Sequence, residues 1–234
     1  MGGSFPAAPR LLTVPGIDNS GRDHWQSRWE RERDDCYRID LGCWSDPIRN
    51  VWISRVDQAV HDAQGDVVLI AHSLGCHAVA WWAQLLGPSG AARVRGALLV
   101  APPDVDLPGT DVRVARFGPT SQAPLPFPAL LVASRDDSYA TIDRSREMAA
   151  RWGALLVDAG ELGHINARSR LGSWPQGQEL AALLTGKPLR RAELGRRAAR
   201  IVARNHHRPQ PPTDARAAPA GASRHPPDER PGTS

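Results

Sequence analysis

A chain of 234 residues, 41% of them hydrophobic, can bury one full core and hardly two. Its formal net charge of +4 would suit a nucleic-acid binder if evenly spread, but residues 187–234 hold 11 Lys and Arg against 4 Asp and Glu, so the first 186 residues are mildly acidic. Three cysteines, an odd number with no paired framework, argue against a disulfide-built secreted domain.

Residues 1–10, "MGGSFPAAPR", lack the apolar run of an export signal and carry Pro6 where a myristoylation pattern needs Ser or Thr. They are expected to be flexible, and no run in the chain is long enough to span a bilayer. A cytoplasmic protein without a membrane partner is the expectation. From there to residue 186 short apolar runs recur: "LLTVP" (11–15), "CYRID" (36–40), "VVLIAH" (67–72), "GALLVA" (96–101), "ALLVAS" (129–134) and "ALLVDAG" (154–160). Each has strand length, and several are apolar throughout, as strands buried on both faces should be. Between them, "DHWQSRWERERDD", "DPIRNVWISRVDQAVHDA", "LGCHAVAWWAQLLG" and "TIDRSREMAARWG" suit covering helices. This predicts a single three-layer α/β domain over residues 11–186, with a roughly six-stranded, mostly parallel sheet. Only 27 residues separate Ala101 from Ala129, which leaves no room for a large cap domain. Phe117, Leu125 and Phe127 in that stretch are expected to line a small flap over an open, shallow pocket.

Residues 187–234 hold 8 of the 21 prolines and no Phe, Trp or Tyr. From about Asn205 onward this tail is expected to be disordered, because it cannot offset its ordering entropy by burial. "AELGRRAARIVAR" could form a short basic helix, and a solvated appendage is its expected role rather than nucleic-acid contact.

A parallel sheet carries its chemistry in the loops beyond the carboxyl ends of its strands. After the first run comes "GIDNSGRDHW", after the third Ser73, after the fifth "RDDSYA" and after the sixth "ELGHIN". A serine hydroxyl is a poor nucleophile unless a base takes its proton and a tight strand-to-helix turn presents it. That turn needs small residues two before and two after, and here they are Ala71 and Gly75. Leu74 opens the following helix and can aim its amide at an oxyanion. An ordinary N-cap is the competing role for Ser73. His164 lies 27 residues after Asp137, which lies 64 after Ser73, and Ser, acid, His is the chain order of an α/β-hydrolase triad. Chemistry alone does not separate Asp136 from Asp137; the one not facing His164 would brace the turn toward "SYATIDRSREMAA". His72 is expected to support the turn, His77 and Cys76 to pack, and His24 to lie near the active edge. No H-E-x-x-H or C-x-x-C occurs, so neither metal nor cofactor is expected.

The stretches "VPGIDNSGRDHWQSRW", "CWSDPIRNVWISRV", "IAHSLGCHAVAWW", "LLVAPPD", "FPALLVASRDDSYA" and "GELGHINARSRLGSWPQG" together resemble the small single-domain serine hydrolases of the α/β-hydrolase superfamily. That group includes retinoblastoma-binding protein nine and the YdeN-like bacterial esterases. The resemblance covers roughly residues 11–185 in order. It implies Ser73 as nucleophile, Asp137 as acid and His164 as base, with the Leu74 and Ile17 amides as oxyanion hole on the Gly16 loop. It also implies that Trp25 and Trp44 stand near the active edge, where packing under the loops is the competing role. Ser138 stands where the family pattern has proline. The implied function is hydrolysis of a small-molecule carboxylic ester through an acyl-enzyme. An amidase or peptidase with the same triad, or a non-catalytic interaction protein on this scaffold, are the alternatives.

Overall fold

The computed structural model describes residues 8–205; residues 1–7 and 206–234, with most of the expected flexible start and of the Pro-rich tail, lie outside the described residues. Six strands, β1 (Arg10–Val14), β2 (Cys36–Arg38), β3 (Val67–His72), β4 (Val94–Val100), β5 (Ala129–Ala133) and β6 (Leu155–Asp158), form one sheet in the order β2-β1-β3-β4-β5-β6. Every adjacent pair is parallel. Among the described residues strands and α-helices alternate as far as β6, after which two α-helices follow, the α-helices being α1 (Trp25–Glu32), α2 (Arg49–Asp62), α3 (Leu74–Gly90), α4 (Val112–Ala115), α5 (Ile142–Arg151), α6 (Pro175–Thr185) and α7 (Arg191–Asn205).

The unbroken apolar runs follow from burial on both faces, since successive strand side chains point to opposite sides. Val67, Leu69 and Ala71 of β3 join Leu12 and Val14 of β1 and Leu131 of β5 in one core, beneath α2, α3 and α5. Val68 and Ile70 point the other way, into a second core with Trp25 and Trp29 of α1, Leu180 and Leu184 of α6, and Leu194, Ala198 and Ile201 of α7. This is a three-layer sandwich without a cap domain.

The folded unit continues past the expected boundary at residue 186. Leu194, Ala198 and Ile201 recur at helical spacing and are 3%, 2% and 6% exposed, so α7 covers part of the sheet with one apolar stripe while its arginines face outward. Arg191 also donates to the Gly153 and Ala154 carbonyls. At the other end, Pro9 is buried and Arg10 already belongs to β1. The flap expectation is likewise corrected. Phe117 and Phe127 are 0% and 8% exposed, Leu125 packs against the same core, and Phe117 meets Trp52 edge-on. Aromatic area of that size gains more from the core than from a wet rim. Among the described residues no helix is long and apolar enough to cross a membrane.

The chain moves from β1 outward to β2 and then returns to the other side of β1 as β3. At such a reversal the loops leaving the two neighbouring strands diverge and open a crevice at their carboxyl ends.

Candidate active site

Ser73 stands in that crevice, between β3 and α3, with φ 53° and ψ −128°. A non-glycine residue there is strained by about 1–3 kcal/mol and persists only where its surroundings hold it. Its amide donates to the Val100 carbonyl at 2.9 Å, and the glycine two residues on is sterically required. A Cβ on Gly75 would lie 2.2 Å from the Val14 oxygen and 2.6 Å from that of Pro15. Ala71 fits without such a conflict, wholly buried in the core. Ser73 occupies the N-cap position of α3 but makes no capping hydrogen bond; its hydroxyl donates instead to His164 Nε2 at 2.9 Å.

His164 Nδ1 faces both oxygens of Asp137, at 3.0 and 2.9 Å. A carboxylate only accepts, so the imidazole proton sits on Nδ1 and Nε2 is free to accept. Asp137 also accepts from the Tyr139 amide at 2.9 Å. The Asp136 side chain turns elsewhere, to the Ser134 hydroxyl at 2.6 Å and the Gly163 amide at 2.7 Å. It therefore braces the His164 loop, not the turn toward α5 as the sequence suggested. Burial pushes its carboxyl up, but hydrogen bonds from Ser134, Gly163 and the backbone amides of Asp136 and Leu162 together hold it below the usual range.

Two further donors grip the same loop from beneath. The His72 Nε2–H meets the His164 carbonyl at 3.0 Å, and the Trp25 indole donates to the Ile165 carbonyl at 2.8 Å. Ile165, a β-branched residue at φ 48°, is fixed there with its side chain fully buried. Trp25 is only 1% exposed, so it supports the loop from the core and does not border the crevice. His24 is 4% exposed and is likewise withdrawn from the edge. Its Nδ1 caps α1 by accepting the Gln26 amide at 3.2 Å. Burial first, then Arg38 and His164, lower its pKa to about 4. Its ring lies 4.7 Å from that of His72, which lies 5.0 Å from that of His164. Burial, with its two histidine neighbours, holds His72 neutral as well. His77 is fully buried, donates to the Pro103 carbonyl at 2.8 Å, and burial lowers its pKa to about 4. Cys76 packs nearby, its thiol directed at the Val100 carbonyl.

The loop after β1 closes the crevice from the other side. A Cβ on Gly16 would meet Ser73 Cβ at 2.8 Å and its Oγ at 3.1 Å, so only glycine lets the two loops approach this closely. Asp18 and Asn19 follow with φ 59° and 65°. The Asp18 amide donates to the Trp44 carbonyl at 3.0 Å, while Arg38 donates to Asn19 Oδ1 and the Ser20 carbonyl and pairs with Glu30 at 2.7 Å. Nothing in the sequence marked Arg38; a charged residue at the end of an edge strand reads as solvated. Ile17 and Trp44 are partly buried, packed against the core. Leu74 is the first residue of α3, where an amide has no acceptor within its helix. A cavity of about 490 Å³ lies elsewhere, between β6 and α7, and none of its lining residues borders Ser73. Among the described residues no group of three His, Cys, Asp or Glu could hold a metal. Chemically, the arrangement can pass a proton from a strained hydroxyl to an imidazole whose tautomer a carboxylate fixes.

Residues 11–182 match the family described as "Serine hydrolase". The chain is 31% identical to a putative YdeN-like hydrolase from Pectobacterium atrosepticum, with a TM-score of 0.65 over 76% of this chain and 94% of that one. The ydeN gene product of B. subtilis is 18% identical with a TM-score of 0.61, over 75% and 98% of the two chains. The thioesterase RedJ of Streptomyces coelicolor is also 18% identical, with a TM-score of 0.51 over 79% and 91%. A comparison with curated protein sequences gives no match.

Proposed function

We propose that this chain, which belongs to the serine hydrolase family and has the α/β-hydrolase fold, hydrolyses small carboxylic esters with Ser73 as nucleophile, His164 as base and Asp137 as the acid that orients it. The observation that carries this reading is the unbroken line from the Ser73 hydroxyl through His164 to Asp137, each contact at 2.9 Å. Ser73 Oγ attacks the ester carbonyl as its proton moves to His164 Nε2, and Asp137 stabilises the imidazolium that forms. The Leu74 amide, at the positive end of α3, and the Ile17 amide beside Gly16 receive the oxyanion. Collapse returns the proton to the departing alcohol, leaving an acyl group on Ser73. Water then removes that group under the same histidine.

The absence of a cap and the inward turn of Phe117 and Phe127 support an open site for short acyl groups. A fluorophosphonate probe tests the nucleophile: wild type labels and Ser73→Ala, which keeps the fold, does not. Equal labelling of both would end the reading. Matched ester and amide substrates then decide the bond cleaved.

A further inference from the structure

The proposed mechanism leaves unused an aromatic residue that touches its base. Tyr139 follows Asp137 by two residues, and its ring centroid lies 4.3 Å from that of His164 with a tilt of 44°. Among the described residues two rings contact His164: His72, 5% exposed, on the inner side and Tyr139, 50% exposed, on the outer. The Tyr139 backbone is pinned at both ends, its amide on Asp137 at 2.9 Å and its carbonyl accepting from the Asp104 amide at 2.9 Å. The ring is thus held over the imidazole while half of it remains in water. A tyrosine kept for packing would gain more by turning inward, as Phe117 does.

Which part of a substrate reaches that ring follows from the proton path. To leave, the alcohol oxygen must lie within hydrogen-bond reach of His164 Nε2. The alcohol moiety therefore lies against the imidazole, the ring that Tyr139 contacts with a centroid distance of 4.3 Å. The acyl chain departs from the same carbonyl carbon in the other direction, away from the imidazole. We propose that Tyr139 is a platform for the leaving group, selecting esters whose alcohol portion is a planar aromatic ring over esters of the same acid with saturated alcohols. This rests on the serine-hydrolase mechanism proposed above and adds the substrate class. In the selected step the Ser73 Oγ–carbon bond forms, the carbon–oxygen bond to the aromatic alcohol breaks, and the proton held by His164 Nε2 goes to that oxygen. No other reactant is needed.

Benzyl, cyclohexylmethyl and methyl acetates test it. All give the same acetyl-enzyme, so differences in kcat/KM report acylation alone. The first two also match in size and differ mainly in planarity. Wild type should favour the benzyl ester over the cyclohexylmethyl ester, and Tyr139→Ala should lower kcat/KM for the benzyl ester about tenfold more than for the methyl ester, the scale of an aromatic stack with its buried area. Tyr139→Phe should retain the benzyl preference, because the ring and not the hydroxyl makes the platform. Tyr139→Leu, which keeps apolar bulk, stands in if the alanine variant does not fold, and should lose the preference too. An equal loss on all three esters would assign Tyr139 only to shielding the His164–Asp137 pair and overturn the inference alone. No turnover of any ester, with no labelling of Ser73, would overturn the hydrolase reading and this inference with it.

Discussion

Gly16→Ala separates the roles of the two glycines that frame Ser73. The added methyl would lie 2.8 Å from Ser73 Cβ and 3.1 Å from Oγ, so the atoms must part by roughly 0.6–1 Å to reach ordinary van der Waals distance. Neither partner yields freely: Oγ is tied to His164, and the next nearest atom, the His72 carbonyl oxygen at 3.3 Å, belongs to the central strand β3. Either the β1 loop retreats, taking the Ile17 amide with it, or Oγ rotates off the imidazole. Loss of one oxyanion donor costs about 10²–10³ in kcat, and a misplacement near 1 Å costs about 10². We expect kcat to fall about 100-fold with a smaller change in KM, at a stability cost of about 1–3 kcal/mol from crowding. Gly75→Ala meets the Val14 and Pro15 oxygens at 2.2 and 2.6 Å and should instead prevent folding, because only separating α3 from β1 relieves it. Steady-state kinetics on a soluble ester, beside urea unfolding of each variant, gives both quantities. A Gly16→Ala protein with wild-type kcat would refute the argument that Ser73 and the β1 loop are in steric contact.

Acid should weaken the fold through its neutral histidines. His24 and His77 each have a pKa lowered to about 4 by burial first, so between pH 6.5 and about 4 the unfolded chain binds protons that the native one refuses. Stability present above pH 6.5 is lost as pH falls through that window, by about 2 kcal/mol per histidine between pH 7.5 and 5. His77→Gln should shrink the difference in urea-derived stability between those pH values by about that amount, and parallel curves would refute it. In α7, Leu194→Ala should cost about 2–5 kcal/mol while leaving kcat per folded molecule unchanged. A cost under about 0.5 kcal/mol, the level of a surface substitution, would return this helix to the status of an appendage.

What the sequence revealed and what it hid have separate physical causes. "VVLIAH" is read directly as β3 because a strand buried on both faces tolerates no polar interruption, and its end at Ser73 follows from the turn. The helix α7 was half visible. Leu194, Ala198 and Ile201 have helical spacing, but the surrounding arginines made the segment look wholly solvated. Trp25 shows a different limit. Its position after the β1 loop is plain in the sequence, yet whether its face turns to the crevice or to the core depends on Ile165, a residue 140 positions away. Residue chemistry alone does not separate Asp136 from Asp137, and only the family resemblance points to Asp137, because the difference rests on which carboxylate the amides of Gly163 and Tyr139 claim.

The strand that delivers His164 is the outermost of the sheet, joined to β5 alone, while Ser73 hangs from its centre. The two halves of the proposed proton path therefore sit at opposite ends of the gradient of local stability, since rims open more readily than cores. Fraying of β6 would withdraw the imidazole and, with it, the proposed chemistry, while β1, β3 and β4 remained assembled. The molecule's working lifetime under stress is then set at its margin, and α7, lying behind β6, acts as the buttress that lengthens it.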